Sequence, residues 1–110
     1  MATTRITKTG VDKAREYAAL VRAKLGDHVK QIVLFGSQAR GDGTEYSDYD
    51  FLVVVDMRTR IVRDAILDVG VQMLNDYDQL FAALVYSEEE WRELSRFPLG
   101  WNIRHEGTRV

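Results

Sequence analysis

Apolar positions recur along the chain in two rhythms, one helical and one extended. Val11, Ala14, Ala18, Val21 and Leu25 fall at intervals of 3, 4, 3 and 4, which predicts an amphipathic helix. Thr9 stands where an N-cap is needed and Gly26 where the helix should stop. Gln31-Ile32-Val33-Leu34-Phe35 is a short run of strand formers that ends abruptly at Gly36. Phe51-Leu52-Val53-Val54-Val55 is apolar at every position, which an alternating half-buried strand does not explain and a strand covered on both faces does. Val62, Ile66, Val69 and Met73 repeat at 4, 3 and 4, predicting a second amphipathic helix slightly weakened by Gly70. Leu80 to Tyr86 reads as a third strand. Ser87-Glu88-Glu89-Glu90 has the form of a capping box ahead of Trp91, Leu94 and Phe97, and Pro98 ends that helix. The remainder, Leu99 to Val110, reads as a short mixed segment whose Leu99, Trp101 and Ile103 pack back on the body. The first nine residues are polar and expected to fray.

The order is helix, strand, loop, strand, helix, strand, helix: an α/β (α+β) sandwich with a small sheet and a long polar loop between its first two strands. No stretch reads as a linker and no segment repeats, so residues 1–110 are expected to form a single domain. With 110 residues, 45% hydrophobic and 29% charged, the chain can bury a proper core and lacks the signature of disorder. The absence of cysteine excludes a disulfide framework, a thiolate zinc site and a cysteine nucleophile. No apolar run approaches the roughly 18 residues of a membrane span, and Met-Ala-Thr-Thr-Arg-Ile has no apolar signal region. A soluble cytoplasmic protein with no membrane partner is expected. Fifteen Lys and Arg against seventeen Asp and Glu give a net charge of −2, which argues against holding nucleic acid by bulk charge.

Candidate chemistry concentrates in residues 36–50. Gly36-Ser37 directly follows a strand and opens onto Gln38, Ala39 and Arg40, enough for one helical turn. A glycine there admits a ligand to the backbone, and free N–H groups at a helix start bind phosphate. Asp48 and Asp50 are i and i+2 at the entrance to the doubly covered strand, so both side chains face one side. Their Cα atoms should lie roughly 6.6 Å apart, close enough to share Mg²⁺ ions, which commonly take one or two carboxylates and leave other positions to water and substrate phosphates. Either half alone is an ordinary turn. Together they are the halves of a nucleotide–metal site. A P-loop is excluded because Asp42 stands where its lysine must be, and no Gly-x-Gly-x-x-Gly is present.

Gly36-Ser37, ten intervening residues and then Asp48-x-Asp50 resembles the signature of the DNA polymerase β-like nucleotidyltransferases. Ala39-Arg40-Gly41 and Ser47 are similar to its small prokaryotic branch, the minimal nucleotidyltransferases. The resemblance implies a small mixed β-sheet flanked by helices, with ATP as nucleotide donor. It implies that Gly36 and Ser37 hold the triphosphate and that Asp48 and Asp50 hold Mg²⁺ and carry catalysis. It also implies a partner, a HEPN-domain toxin, on one of whose tyrosines an antitoxin of this kind places AMP, and an assembly with that partner.

One departure matters. The family's fuller sites carry a third carboxylate in the middle of a later strand, where this chain has Leu80-Phe81-Ala82-Ala83-Leu84. Asp76 and Asp78 are the nearest acids, as third carboxylate or as solvated turn residues. Arg40 suits a phosphate oxygen or a surface pair with Asp42 or Glu45. Arg58, Arg60 and Arg63 suit pyrophosphate, an acidic partner or a solvated helix start. Two functions follow: an AMP-transferring antitoxin, or a catalytically weak nucleotide-binding module that neutralises its toxin by direct binding.

Overall fold

The computed structural model describes residues 10–44 and 47–110; Thr9, Glu45 and Tyr46 lie outside them. Helix α1 (Gly10–Leu25) buries Ala14, Ala18, Val21 and Leu25, as its stripe predicts, while Val11 in the first turn remains exposed. Tyr17 joins the stripe and is fully buried, its ring stacked 4.0 Å from Phe51. Gly26, at φ 53°, ends α1 and opens a single 3₁₀ turn to His28. Strand β1 (Val29–Phe35) follows, then the four-residue helix α2 (Ser37–Arg40) and strand β2 (Tyr49–Val55). Helix α3 (Arg60–Tyr77) is capped by Thr59, whose hydroxyl accepts from the Val62 N–H at 3.2 Å, and buries Val62, Ile66, Val69 and Met73. Strand β3 (Phe81–Ser87) leads into helix α4 (Glu88–Leu94) through the expected capping box between Ser87 and Glu90. Among the described residues no helix is long and apolar enough to cross a membrane.

The four strands form one mixed sheet in the order β3-β2-β1-β4, with β2 and β3 parallel and the other pairs antiparallel. Both faces of β2 are covered, and Phe51 to Val55 are buried without exception. Ile32, Leu34, Phe51, Val53 and Val55 form the main core with residues of α1 and α3. Val33, Leu52 and Val54 on the other face pack against Ile103 and Trp91.

The chain's last segment departs from the pattern expected of it. Pro98 does stand beyond the end of α4, but it also opens helix α5 (Pro98–Glu106), occupying the first helical position. Proline ends one helix and suits the first turn of the next, because its missing N–H is unpaired there anyway. Of the three apolar residues expected to pack back, only Ile103 is buried; Leu99 is 45% and Trp101 53% exposed, the indole stacking on His105. Strand β4 (Thr108–Arg109) then pairs with Val33 and Leu34, a contact too short to leave any sequence pattern.

Candidate active site

Gly36 stands between β1 and α2 with φ 80° and ψ −158°, a region open essentially to glycine alone. That geometry turns the chain so that the Gly36 carbonyl accepts from the N–H groups of Ala39 and Arg40, both at 3.1 Å. At a helix start the first amides, here those of Ser37 and Gln38, have no carbonyl one turn earlier to receive them. The antiparallel register pairs Phe35 with Asp50, which brings the Asp50 carboxylate against the α-carbon of Gly36. A Cβ built on Gly36 would meet Asp50 Oδ2 at 2.7 Å. Gly43 folds over the Ser37 hydroxyl in the same way, its would-be Cβ lying 3.2 Å from Ser37 Oγ. The Gly36 turn and the carboxylate strand therefore meet, through glycines, in one corner of the sheet.

Asp50 is half-buried on the sheet face it shares with Leu52, and Asp48, one pleat earlier, is exposed. Burial raises the Asp50 carboxyl above its ordinary value, and the like charge of Asp48 raises it further. Two neighbouring carboxylates, with no third His, Cys, Asp or Glu gathered among the described residues, fit a hard divalent cation that completes its shell with water and phosphate oxygens. The linkage has a definite sign. A folded-state pKa above the unfolded one favours folding below the unfolded pKa, and that contribution is lost as pH rises through the folded pKa. In EDTA at neutral pH, Asp50→Asn should therefore melt at a higher temperature than the wild type. The difference should shrink as the pH falls through the raised carboxyl range, in melting curves recorded across that range.

Two glutamines that no motif singled out hold the pair in place. Gln38 Nε2 donates to the carbonyls of Thr44 and Ser47 at 3.0 and 3.1 Å. Gln79 Nε2 donates to the same Ser47 carbonyl at 3.3 Å, and its Oε1 accepts from Lys13 Nζ at 2.7 Å. Gln79 is only 6% exposed, a buried polar residue, and burial of an amide calls for such partners. The peptide immediately before Asp48 is thus pinned from α2 and from the α3–β3 connection. The only signal in the sequence is that Gln79 precedes a strand in an otherwise polar turn.

Arg40 takes the surface pair with Asp42. Its Nε donates to Asp42 Oδ2 at 3.3 Å and its guanidinium lies 3.9 Å from Glu106, while it also lines a cavity of about 230 Å³ with Phe35, Gly36, Leu99 and Asn102. Arg58 pairs with Glu90 at 2.8 Å and Arg60 with Asp64 at 3.7 Å. Asp78 has a local job: at φ 54° it caps α3, its N–H donating to the Leu74 carbonyl at 2.8 Å. Asp76 is exposed near the end of α3. Neither forms a three-acid cluster with Asp48 and Asp50 among the described residues. The residue in register with Asp50 on β3 is Ala82, so the strand position beside Asp50 carries a methyl group instead of an acid. Because asparagine also tolerates the left-handed region, Asp78→Asn should leave both the melting temperature and any transfer activity close to wild type.

A mixed sheet with a glycine-opened helical turn after one strand and a carboxylate pair entering the next is what the resemblance to nucleotide-transferring enzymes implies. The chain belongs to the nucleotidyltransferase domain family, whose model matches residues 14–99, and is an enzyme of that class. A Methanocaldococcus jannaschii protein provisionally named a protein adenylyltransferase is 34% identical over 93 residues, 84% of this chain and 89% of the relative. Another with the same provisional name from that organism is 30% identical over 79 residues, 71% of this chain and 80% of the relative. Two solved structures share the fold at 19% identity. One is a toxin–antitoxin structure with AMP-PNP, with a TM-score of 0.57 over 86% of this chain and 69% of that one. The other, from Sulfolobus solfataricus and provisionally described as a nucleotidyltransferase, has a TM-score of 0.50 over 94% of this chain and 87% of that one.

Proposed function

We propose that this nucleotidyltransferase moves AMP from ATP to a protein hydroxyl and acts as the antitoxin of a toxin partner, most simply on a tyrosine of a HEPN-domain toxin. The observation that carries the reading is the closeness of the Gly36 turn to the Asp50 carboxylate, where a Cβ on Gly36 would lie 2.7 Å from Asp50 Oδ2. The relatives named for protein adenylylation and the toxin–antitoxin fold neighbour with AMP-PNP support it.

In this reading the amides at the start of α2 and the Ser37 hydroxyl bind and orient the triphosphate. Asp48 and Asp50 hold Mg²⁺, which when bound neutralises the departing pyrophosphate and lowers the pKa of the attacking hydroxyl. The two glutamines fix the peptide that aims Asp48. Phosphoryl transfer asks little more of a protein than position and charge. Incubation with the partner, ATP and Mg²⁺ should add about 329 Da per AMP to the partner, the mass left when pyrophosphate departs. Transfer that proceeds unchanged in EDTA would remove the metal from the scheme. Ser37→Ala should weaken ATP binding by about 1 kcal/mol, one hydroxyl–phosphate bond lost with the amides still present, as read by calorimetry.

A second reading, neutralisation by direct binding with little catalysis, is favoured by one observation: Ala82 is in register with Asp50, where a third acid would stand. Full toxin inhibition by the Asp48→Asn/Asp50→Asn chain, with no mass gained by the toxin beside wild type, would select it.

A further inference from the structure

On the sheet face that carries Asp50, two adjoining clefts of about 360 and 340 Å³ share Gln31, Trp91, Arg104 and Arg109, and the second adds Lys30 and Arg92. Four cations from β1, α4, α5 and β4 thus converge on one groove in a chain whose net charge is −2. Four arginines elsewhere are matched with acids, Arg40 with Asp42, Arg58 with Glu90, Arg60 with Asp64 and Arg96 with Glu93, while among the described residues Arg15, Arg22 and Arg63 stand singly instead of converging. Among the described residues Arg92, Arg104 and Arg109 enter no such pair, and Lys30 acts on Asp56 only at longer range. Glu88 is the acid on the lining.

The convergence is built into the backbone. A Cβ on Gly107 would meet the Ile103 carbonyl and Val33 Cγ1, both at 2.4 Å, so glycine is what lets α5 turn directly into β4. That turn sets Arg109 opposite Val33, beside Arg104 of the preceding helix. The groove is separate from the candidate active site. Gln31 is five residues, roughly 16 Å of strand, from Gly36, and Ile103 of α5 borders the cavities on both sides.

We infer that this groove is a second anion site, one that binds phosphoryl groups. Each guanidinium presents a planar fork that matches phosphate oxygens in pairs. A single carboxylate occupies one fork, whereas a multiply charged phosphate or pyrophosphate engages several at once. Trp91, half-buried at the floor, supplies an apolar wall. Four cations set against the lining acid Glu88 raise the local potential and concentrate such anions. The phosphoryl group comes either from a free polyphosphate or from the backbone of a nucleic-acid strand.

The test uses the full chain carrying Asp48→Asn and Asp50→Asn, in EDTA, so that the candidate active site contributes no metal-dependent binding and failure here leaves the AMP-transfer reading untouched. Inorganic pyrophosphate, a uridine decamer and a ten-residue polyglutamate are titrated in turn, with calorimetry and the Trp91 indole N–H resonance as readouts. Pyrophosphate or the decamer should bind and shift Trp91, and adding Arg92→Glu and Arg104→Glu should weaken that binding at least tenfold. Adding Arg15→Glu and Lys24→Glu, the same change in net charge on the exposed surface of α1, should alter it less than twofold. If the glutamate variants lose their circular-dichroism signal, Arg92→Gln with Arg104→Gln replaces them, with at least a threefold loss expected. Tighter binding of the decamer, falling steeply with salt, assigns the groove to a phosphodiester strand, and equal or tighter binding of pyrophosphate assigns it to a free anion. The proposal is overturned if neither phosphate probe binds, if polyglutamate binds as well as the better of them, or if the control substitutions weaken binding as much.

Discussion

The Asp48→Asn/Asp50→Asn chain is expected to fold normally and to lose AMP transfer by about a thousandfold, the largest activity effect of the substitutions considered. The size follows from the charge being removed. Holding a cation against a departing pyrophosphate supplies several kcal/mol of transition-state stabilisation, and about 4 kcal/mol corresponds to about three decades in rate. The substitutions keep the side-chain shape and alter only the charge. Asp50's ionisation works against the metal-free fold, because burial and the Asp48 charge both resist it, so its loss does not destabilise. A higher melting temperature in EDTA together with abolished transfer would separate chemistry from folding in a single variant. Calorimetry should show that Mg²⁺-dependent ATP binding disappears as well. Transfer retained within tenfold of wild type would mean that the pair does not hold the catalytic charge.

What the amino-acid sequence makes legible is the part of the physics that is local. The stripe of Val62, Ile66, Val69 and Met73 marks α3 because a helix lying on a sheet must bury one face; all four are buried. The unbroken run from Phe51 to Val55 marks a doubly covered strand because no polar position is tolerated there. The serine–glutamate capping box announces α4 within four residues. Pro98 misleads because the same residue that stops one helix starts another. Hydrophobicity alone puts Leu99 and Trp101 in the core, yet only every third or fourth residue of the short helix α5 can face the sheet, and Ile103 takes that place. At the site, the residue types and their spacing are legible: Gly-Ser after a strand and Asp-x-Asp before one. Their contact is not. It depends on the register that sets Phe35 opposite Asp50, and on Gln38 and Gln79 gripping the Ser47 carbonyl, with Gln79 reaching it from 32 residues away. Such long-range hydrogen bonds leave no period in the sequence.

That contact is also where a single methyl group should do the most damage. Gly36→Ala and Gly41→Ala form a matched pair, because both glycines have positive φ, 80° and 82°. Gly41 caps α2 in the left-handed region, and a Cβ there would meet nothing within 4 Å. Its replacement should cost about 1 kcal/mol of backbone strain and leave transfer within a few-fold of wild type. Gly36 combines its φ with a ψ of −158°, a combination that costs an L-residue about 1–3 kcal/mol, and its Cβ would lie 2.7 Å from Asp50 Oδ2. To relieve that overlap, either the carboxylate must swing away from its place or the turn must open and misdirect the amides of α2. Both movements separate the proposed phosphate cradle from the acidic pair, and misplacement of reacting groups by about 1 Å can cost about a hundredfold in rate. Gly36→Ala should therefore lower the melting temperature more than Gly41→Ala and reduce transfer by about a hundredfold. Gly36→Val should do worse, since a branched side chain also fills the space where the phosphates would approach. The comparison is decided by activity measured at a temperature where both alanine variants are folded by circular dichroism. Equal activities there would show that the closeness of Gly36 to Asp50 is incidental and that the triphosphate is held by another part of the chain.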